Sequence, residues 1–458
     1  MISRRSLLQA LAAQLLTLDS ASAQARVHRT PSPLPAGAVT HDWAEFLGPT
    51  HNGISTETKL SRRLPPPLVW EFPKGTSYAS PAIAGDYLAY IHRVGNEEVV
   101  ECLHPETGAR HWQFRYPTAF EDRYGYNNGP RSSPVIAGGR VYTVGAEAVI
   151  HCLDLESGKL FWKRDLRALY GVRQDFFGTG STPLVEGRLL IVNVGAPGGP
   201  CVVGLERQSG GEIWRAGKEW GPSYASPVPA IVQGRRRVFV FAGGESAPPT
   251  GGLMSIDPAS GRVDFSFPWR SRTVESVNAS SPVVFNNKVF ISASYRTGGA
   301  LVEVLEDLTH RVVWTTQEFG LHFNTPIYKD GYLYGFDGRN EPDASLACVD
   351  VSNGRVVWRE TPEWTETEGG RQQIMGPYRG SLLAVDGQFL CLGELGHLMW
   401  LDLTPKGYRE VARTRLFLAR ESWALPVLSR GLLYVAQNTR DVLQGVGPRL
   451  LCYDLRAT

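Results

Sequence analysis

The feature that most constrains the fold of this chain is a ten-residue segment that recurs eight times along it. The segment reads Ser/Thr-Pro-apolar-apolar-x-x-Gly-x-apolar-aromatic, as in residues 133–142. Its second position, which we call the anchor, is occupied by Pro81, Pro134, Pro183, Pro227, Pro282, Pro326, Leu382 and Pro426. Successive anchors are 44 to 56 residues apart. A sustained period of this length indicates a repeat architecture.

A second motif follows in seven of the repeats, and in most of them it places an aromatic residue four positions after a glycine, as in Asp154 to Trp162. The residues in this aromatic column are Trp112, Trp162, Trp214, Phe265, Trp314, Trp358 and Val411. Each repeat holds about four short alternating runs separated by turn residues, which is typical of a four-stranded antiparallel sheet. Because one such sheet cannot bury both faces, the copies must pack around an axis. The pattern predicts an all-β, eight-bladed β-propeller of four-stranded antiparallel blades.

The ends of the chain predict how the ring closes. The last copy, 425–458, ends before it reaches its own Trp, whereas the segment 67–72 upstream of the first anchor contains Trp70. We expect this N-terminal strand to complete the last blade, since closure removes two exposed sheet edges. A seven-bladed ring with one decayed copy is the alternative, and 382–411 is the weakest copy because both its Pro and its Trp are replaced.

The first 25 residues have the features of an export signal. Arg4 and Arg5 precede an apolar run from Leu7 to Leu18, and small residues around Ala23 follow. The run is shorter than the roughly 20 residues that cross a bilayer, so a cleaved signal peptide of the twin-arginine type is predicted. A general secretory signal with a chance Arg pair is the alternative. The expected domains are a signal peptide (1–25), a flexible leader (26–41) and the propeller (42–458), in a periplasmic or secreted protein that is soluble after cleavage.

Charge and cysteine usage exclude several classes of protein. Net charge is +2, which gives no general attraction to nucleic acid or to an anionic membrane. A hydrophobic content of 42% supports a large core rather than disorder. Cys102, Cys152, Cys348 and Cys452 occupy one repeated strand position. Equivalent positions in separate blades are too far apart for disulfides, so these cysteines are predicted to be small buried apolar residues.

The sequence contains no catalytic motif that we can identify. There is no Gly-x-Ser-x-Gly elbow, no phosphate-binding Gly-x-x-x-x-Gly-Lys loop and no His-Glu-x-x-His pair. The two positions directly before each anchor hold mainly small residues. We attribute this first to packing, because the inner strands crowd together at the axis. One position earlier, the residue type differs from repeat to repeat: the residues are Tyr78, Arg131, Gly180, Tyr224, Ala279, Phe323, Arg379 and Trp423. Packing symmetry does not require that mixture.

These residues predict a binding funnel at one end of the channel, because loops on one face of a rigid scaffold often carry binding residues. Long connections enter this face at 112–134, 162–183 and 358–382. The candidate ligand-binding residues are Tyr78, Asn127, Arg131, Phe177, Tyr224, Asn278, His322, Asn324, Tyr378, Arg379 and Trp423. Their aromatic and arginine side chains suit a small planar or anionic ligand. The alternative is a water-filled channel mouth that binds nothing.

The Asp-x-x-Ser/Thr-Gly-x-x-x-Trp unit resembles the tryptophan-docking repeat of pyrroloquinoline quinone (PQQ) dehydrogenases and their non-enzymatic relatives. The segment 42–49, followed by Asn52 and Gly53, is similar to the opening of many exported bacterial PQQ-like repeat proteins. The resemblance covers roughly residues 42–458. It implies the propeller fold of the quinoprotein alcohol dehydrogenase-like superfamily, and it does not specify an activity.

The chain departs from the dehydrogenases of that superfamily. Many of them carry adjacent cysteines over the quinone, and the haem-bearing members carry Cys-x-x-Cys-His; this sequence has neither. The Asp base and the Ca²⁺ ligands of the dehydrogenases cannot be placed on particular residues. A non-enzymatic relative in the outer-membrane barrel-assembly machine is a lipoprotein, whereas this chain has no Cys near its predicted cleavage site.

The resemblance and the residues together favour a non-catalytic binding or assembly module in the cell envelope. Its partner would be an envelope protein or a small planar or anionic ligand. The alternative is a PQQ-dependent alcohol or sugar dehydrogenase with PQQ and Ca²⁺ as cofactors, in which Trp423 would stack on the quinone and Arg131 or Arg379 would hold its carboxylates.

Overall fold

A computed structural model describes residues 23–456, except 174–175, 197, 341–342 and 369. Most of the predicted signal peptide, 1–22, therefore lies outside the described residues. The described chain forms eight four-stranded antiparallel blades around a central axis, as predicted. Its one described α-helix, Leu166–Tyr170, follows blade 2. In the described part of the chain, no helix has the length and apolar character that a membrane crossing requires.

The first four blades run from an inner strand, given first, to an outer strand, given last. Blade 1 has Ala82–Ala84, Tyr87–Val94, Glu97–Leu103 and Arg110–Pro117. Blade 2 has Val135–Ala137, Arg140–Val144, Val149–Asp154 and Leu160–Asp165. Blade 3 has Leu184–Glu186, Leu189–Asn193, Val202–Glu206 and Glu212–Ala216. Blade 4 has Val228–Val232, Arg235–Ala242, Gly252–Ile256 and Val263–Pro268.

The last four blades follow the same order. Blade 5 has Val283–Phe285, Lys288–Ala293, Gly298–Val304 and His310–Thr316. Blade 6 has Ile327–Lys329, Tyr332–Asp337, Ser345–Asp350 and Val356–Glu360. Blade 7 has Ser381–Val385, Gln388–Leu392, His397–Thr404 and Gly407–Arg415. Blade 8 has Val427–Ser429, Leu432–Gln437, Arg449–Asp454 and the N-terminal strand Leu68–Pro73.

Three further pairings lie outside this pattern. Ile54–Ser55 runs parallel to the inner strand of blade 7. Arg26–Val27 pairs with the outer strand of blade 8. A hairpin of Trp364–Glu368 and Arg371–Met375 stands between blades 6 and 7.

The ring closes as the sequence predicts. Leu68–Pro73 pairs antiparallel with Arg449–Asp454, so the start of the chain completes the blade that its end begins. Trp70 is fully buried in that strand, and its Nε1 donates a hydrogen bond to the carbonyl of Pro105 in blade 1 at 2.7 Å. The weak copy 382–411 forms a complete blade 7, so the seven-bladed alternative is wrong.

The aromatic column joins each blade to the next. Trp112 of blade 1 donates from Nε1 to the carbonyl of Leu155 in blade 2 at 2.8 Å, and Trp162 reaches Arg207 of blade 3 at 3.1 Å. The glycine of the motif is needed for this contact, because a Cβ on Gly158 would lie 2.5 Å from the Trp112 ring. Burial of each ring between blades contributes up to about 3 kcal/mol.

The small residues before the anchors do more than save space at the axis. The backbone N–H of Ser80 donates to Oγ of Ser133 in the next blade at 3.0 Å, and the N–H of Ser133 donates to Oγ1 of Thr182 at 3.0 Å. The same bond recurs from Thr182 to Ser226, Ser226 to Ser281 and Ser281 to Thr325. A hydroxyl at this position therefore satisfies a buried backbone donor of the preceding blade.

The core consists of apolar clusters between neighbouring blades. All six cysteines are buried and free, which confirms the prediction made for the four at the repeated strand position. The segment 26–41, predicted to be a leader, contacts blade 8. The N–H of Ser32 donates to Oδ2 of Asp454 at 2.6 Å, and Nη1 of Arg456 donates to the carbonyl of Ser32 at 2.9 Å.

Candidate functional site

A central cavity of about 210 Å³ lies on the axis, at the face where each connection enters an inner strand. Its lining is mainly apolar. Eight of the eleven predicted site residues line it, namely Tyr78, Arg131, Phe177, Tyr224, His322, Asn324, Arg379 and Trp423. They come from loops that are far apart in the sequence. The structure therefore brings most of the predicted funnel together around one space.

The other three candidates hold loops in place instead of lining the cavity. Asn127 donates from Nδ2 to Oδ1 of Asn438 at 3.0 Å. Asn278 is fully buried and donates to the carbonyls of Ala242 and Trp269. Tyr378 donates its hydroxyl to the carbonyl of Ile374 at 3.2 Å. Their side chains bond to the protein itself.

Aromatic rings form a nearly continuous wall. Tyr78 stacks on Trp423 with ring centroids 5.2 Å apart, and Phe323 lies 5.3 Å from the same indole. Phe177 lies edge-on to Tyr224 at 5.6 Å. Rings arranged in this way offer both faces and edges to a flat ligand.

Arg131 is ion-paired within the wall. Its Nη2 lies 2.5 Å from Oδ2 of Asp122, whose side chain is fully buried. The guanidinium carbon lies 5.0 Å from the Tyr78 ring centroid and 5.5 Å from that of Phe177. The side chain thus presents a flat cation to the cavity while a carboxylate beside it balances the charge.

Arg379 repeats this arrangement on the other side. Its Nε donates to Oε2 of Glu394 at 2.9 Å, and its Nη2 also binds this carboxylate, which is almost fully buried. The guanidinium carbon lies 4.8 Å from the Trp423 ring centroid and 5.9 Å from that of Phe323. Both arginines of the cavity are therefore charge-compensated before any ligand arrives.

Two titratable groups in the wall are held neutral. Burial, with the nearby Arg339 and Arg379, lowers the pKa of His322 to about 3, so its imidazole is uncharged near neutral pH. Burial raises the pKa of Tyr78 well above its usual value, and the hydrogen bond from its hydroxyl to Glu421 adds to the effect. Neither group gains a charge in the physiological range.

Part of the connection 112–134, which the sequence analysis placed on the binding face, forms a loop at the mouth of the cavity. In this mouth loop, residues 118–130, Tyr126 lies 5.7 Å from Trp423 and 5.9 Å from Phe177, measured between ring centroids. Asp122 fixes the turn, since its Oδ1 accepts the N–H groups of Tyr124 and Tyr126. Asn127 was the one residue of this loop among the sequence candidates, and the length of the connection was the signal that pointed to the rest of the loop.

The floor of the cavity was also missed. Phe46, Leu47 and Gly53 line it, and they belong to the segment that precedes the first blade. The sequence of residues 42–49 resembles the start of PQQ-like repeat proteins, but nothing in its spacing indicates that this segment enters the channel. The funnel is therefore closed at the bottom.

The described residues contain no group of three or more His, Cys, Asp or Glu side chains placed to hold a metal ion. The carboxylates nearest the cavity each have another bond. Asp122 and Glu394 bind arginines, and Glu421 accepts the Tyr78 hydroxyl. The site is suited to binding a flat, largely apolar molecule, because its arginines are paired with carboxylates.

Solved structures of the same fold have diverged widely in sequence. BamB from Moraxella catarrhalis is 13% identical with a TM-score of 0.56, covering 86% of this chain and 98% of that chain. A europium-containing methanol dehydrogenase is 11% identical with a TM-score of 0.62, covering 86% and 89%. The quinohemoprotein alcohol dehydrogenase ADHIIG from Pseudomonas putida HK5 is 12% identical with a TM-score of 0.60, covering 91% and 80%. At such identities the likeness shows the fold alone.

No curated protein sequence matches the chain. A protein-family model does match it, over residues 96–360, and the family is described as outer membrane protein assembly factor BamB. The matched region runs from the third strand of blade 1 to the outer strand of blade 6 and covers more than half of the chain. The chain therefore belongs to this BamB family of PQQ-like repeat propellers.

Proposed function

We propose that this protein is a non-catalytic binding module of the bacterial cell envelope, and that its central cavity takes a small, planar, uncharged aromatic ligand. The observation that carries the proposal is the aromatic wall, in which Tyr78, Phe177, Phe323 and Trp423 line one cavity. A largely apolar pocket with a few polar groups is the usual form of a small-molecule site.

The size of the cavity limits the ligand. An apolar protein cavity of about 150 Å³ takes benzene, and drug-sized ligands occupy about 300–1,000 Å³. A cavity of about 210 Å³ lies between these values. One ring with substituents, or two fused rings, suits this volume.

The charges favour an uncharged ligand over an anionic one. Each cavity arginine already has a buried carboxylate partner, Asp122 for Arg131 and Glu394 for Arg379. An anion entering the cavity would lose its hydration without meeting an uncompensated cation, which is costly. This narrows the sequence-based expectation of a planar or anionic ligand to a planar, neutral one.

The same charges speak against the dehydrogenase alternative. PQQ carries carboxylates, and neither Arg131 nor Arg379 has charge to spare for them. No acidic cluster of the described residues offers a Ca²⁺ site beside the cavity. The residues present do not fit PQQ with Ca²⁺. Incubation with both, followed by the absorbance spectrum and dye reduction with alcohols and sugars, is expected to show neither bound quinone nor turnover.

Calorimetry with matched probes tests the binding proposal. We expect 2-naphthol to bind and naphthalene-2-carboxylate, which has the same ring system and a negative charge, to bind much more weakly. Trp423→Leu removes the central ring of the wall and should weaken 2-naphthol binding about tenfold. Trp358→Leu, on the outer strand of blade 6, is the control and should not. Failure of the wild-type protein to bind 2-naphthol overturns the proposal.

An assembly role is the second candidate, and exposed apolar residues on the cavity face favour it. Ile374 is 67% exposed at the hairpin and Val442 is 68% exposed in the loop between two strands of blade 8. A photo-crosslinking amino acid at either position should form adducts with an envelope protein in cells. Ile231, 68% exposed near the end of the inner strand of blade 4 on the opposite face, is the control position. Equal adducts at all three positions, or none, would count against this role.

Both roles require export of the protein, and this predicted export is tested separately. We propose that the twin-arginine route delivers the folded propeller to the periplasm. Replacing Arg4 and Arg5 with Lys keeps the charge and should retain the protein in the cytoplasm, whereas a general secretory signal would tolerate the change. Fractionation of cells that express both forms decides between the two routes.

A further inference from the structure

The segment that precedes the first blade lies inside the channel. The backbone of Trp43 pairs with Ile83 on the inner strand of blade 1. The carbonyl of Ala44 accepts the N–H of Ile136 in blade 2, and the carbonyl of Gly53 accepts the N–H of Ala384 in blade 7. Residues 43–55, which we call the plug, therefore bond to inner strands on both sides of the axis.

The plug has one tightly determined loop. Leu47 has a φ of 64°, a left-handed conformation that a leucine adopts only at a cost. Its carbonyl accepts the N–H of Gly53 at 2.9 Å, and Oδ1 of Asn52 accepts the N–H of Ile54 at 3.1 Å. A Cβ on Gly48 would lie 2.7 Å from the Trp43 ring, so that ring packs directly on the loop. These contacts fix Phe46 and Leu47 at the cavity floor.

The floor has little room to recede. Below it, Glu45, Phe46, Leu47 and His51 enclose a void of only about 10 Å³ with the inner strands of blades 3 and 4, which is enough for one water. Glu45 and His51 lie 3.5 Å apart on this lower side, between Oε2 and Nε2. A ligand that reaches Phe46 therefore meets a packed layer.

A floor of this kind cannot come from the repeats. Each blade contributes the same inner-strand edge to the channel, so the blades give walls and leave the axis open. The depth of the cavity is set by a segment outside the repeats, and it can change without any change in a blade. The residue types at 46 and 47 then decide how long a flat molecule fits.

We infer that Phe46 and Leu47 determine the size selectivity of the central cavity, which excludes aromatic ligands longer than two fused rings. The inference rests on the proposed binding function, and it assigns to the plug the role of a selectivity filter at the closed end. Trp43, Gly48, Asn52 and Gly53 serve the same role, because their contacts fix the loop that carries these two side chains.

The experiment compares 2-naphthol with the four-ring probe 1-hydroxypyrene on the full-length protein, by calorimetry or fluorescence. Wild-type protein should bind 2-naphthol and discriminate against 1-hydroxypyrene. Phe46→Ala should reduce that discrimination by about tenfold or more, mainly by improving the binding of the larger probe. Phe46→Leu is a milder truncation that keeps the plug apolar if the alanine variant folds poorly. Phe290→Ala, the same truncation in the core of blade 5, controls for general loosening.

The outcomes distinguish a failure of the proposed binding function from a failure of the inference about the plug. If wild-type protein binds neither probe, the proposed function fails. The binding function stands if the wild-type protein binds 2-naphthol. The inference about the plug is overturned if both Phe46 variants then discriminate between the probes to the same extent as the wild type and Phe290→Ala. A change in discrimination confined to the Phe46 variants supports it.

Discussion

Arg131 and Asp122 form a buried ion pair in which Nη2 lies 2.5 Å from Oδ2, and the pair joins the cavity wall to the mouth loop. The arginine packs against Tyr78 and Phe177, while the other carboxylate oxygen of Asp122 accepts the backbone N–H of Tyr124. One carboxylate therefore balances the charge of the wall and shapes the loop above it.

Removal of Arg131 alone should be strongly destabilising. Arg131→Ala leaves the Asp122 carboxylate buried without its partner, which costs about 3–5 kcal/mol in free energy of unfolding. In the double variant Asp122→Asn with Arg131→Ala, no buried charge is left, and much of the loss should be recovered. Urea denaturation of the two single variants and the double variant measures this coupling. Additive effects of the two changes would contradict the pairing.

Trp70 should behave as the residue that closes the ring. Trp70→Ala removes a fully buried ring and its hydrogen bond to the Pro105 carbonyl, so we expect a loss of about 3–5 kcal/mol. Trp358, only partly buried on the outer strand of blade 6, provides the comparison, and Trp358→Ala should cost less. Denaturation midpoints measured side by side test this order. Equal losses would show that the closing strand contributes no more than an ordinary outer strand.

The repeat made the blades predictable, and the reasons for the missed features are physical. Periodic motifs fix what every blade shares, such as the contact of Trp112 with the carbonyl of Leu155, because each copy repeats the same geometry. Phe46 and Tyr126 lie in segments that are not repeated along the chain. Their positions depend on tertiary contacts with several blades at once, which no local pattern encodes. The pairing of Arg131 with Asp122 was missed for a different reason: both residues lie in one non-repeated connection, and no repeated motif describes how that connection folds.

Lys74 should make the stability of the protein depend on pH. It is almost fully buried, its Nζ donates to the Gly75 carbonyl at 3.1 Å, and burial lowers its pKa to about 7. Between about pH 7 and 10 the unfolded chain binds a proton there that the folded protein does not, so stability rises with pH across this window. Below it the full cost of the buried ammonium remains.

Lys74→Met replaces the ammonium with an apolar group of similar length. The variant should be more stable than the wild type at pH 6, by about 3–5 kcal/mol, and the difference should shrink as the pH approaches 10. Thermal unfolding of both proteins from pH 6 to pH 10 measures the difference. Parallel curves would show that Lys74 does not titrate in this window.

The mouth loop should control how fast a ligand enters and leaves the cavity. Nδ2 of Asn127 donates to Oδ1 of Asn438 at 3.0 Å, and Nη1 of Arg123 lies 3.0 Å from Oε1 of Glu245, so contacts with blades 8 and 4 hold the loop across the opening. Cysteines at 127 and 438 would tie one side of the loop to blade 8. The six native cysteines are buried, so an oxidant should act on the new pair. Oxidation should slow the exchange of 2-naphthol by about tenfold in stopped-flow fluorescence, and a reductant should restore it. Asn127→Cys alone, treated in the same way, is the control. Unchanged exchange after verified disulfide formation would place the entrance elsewhere on the molecule.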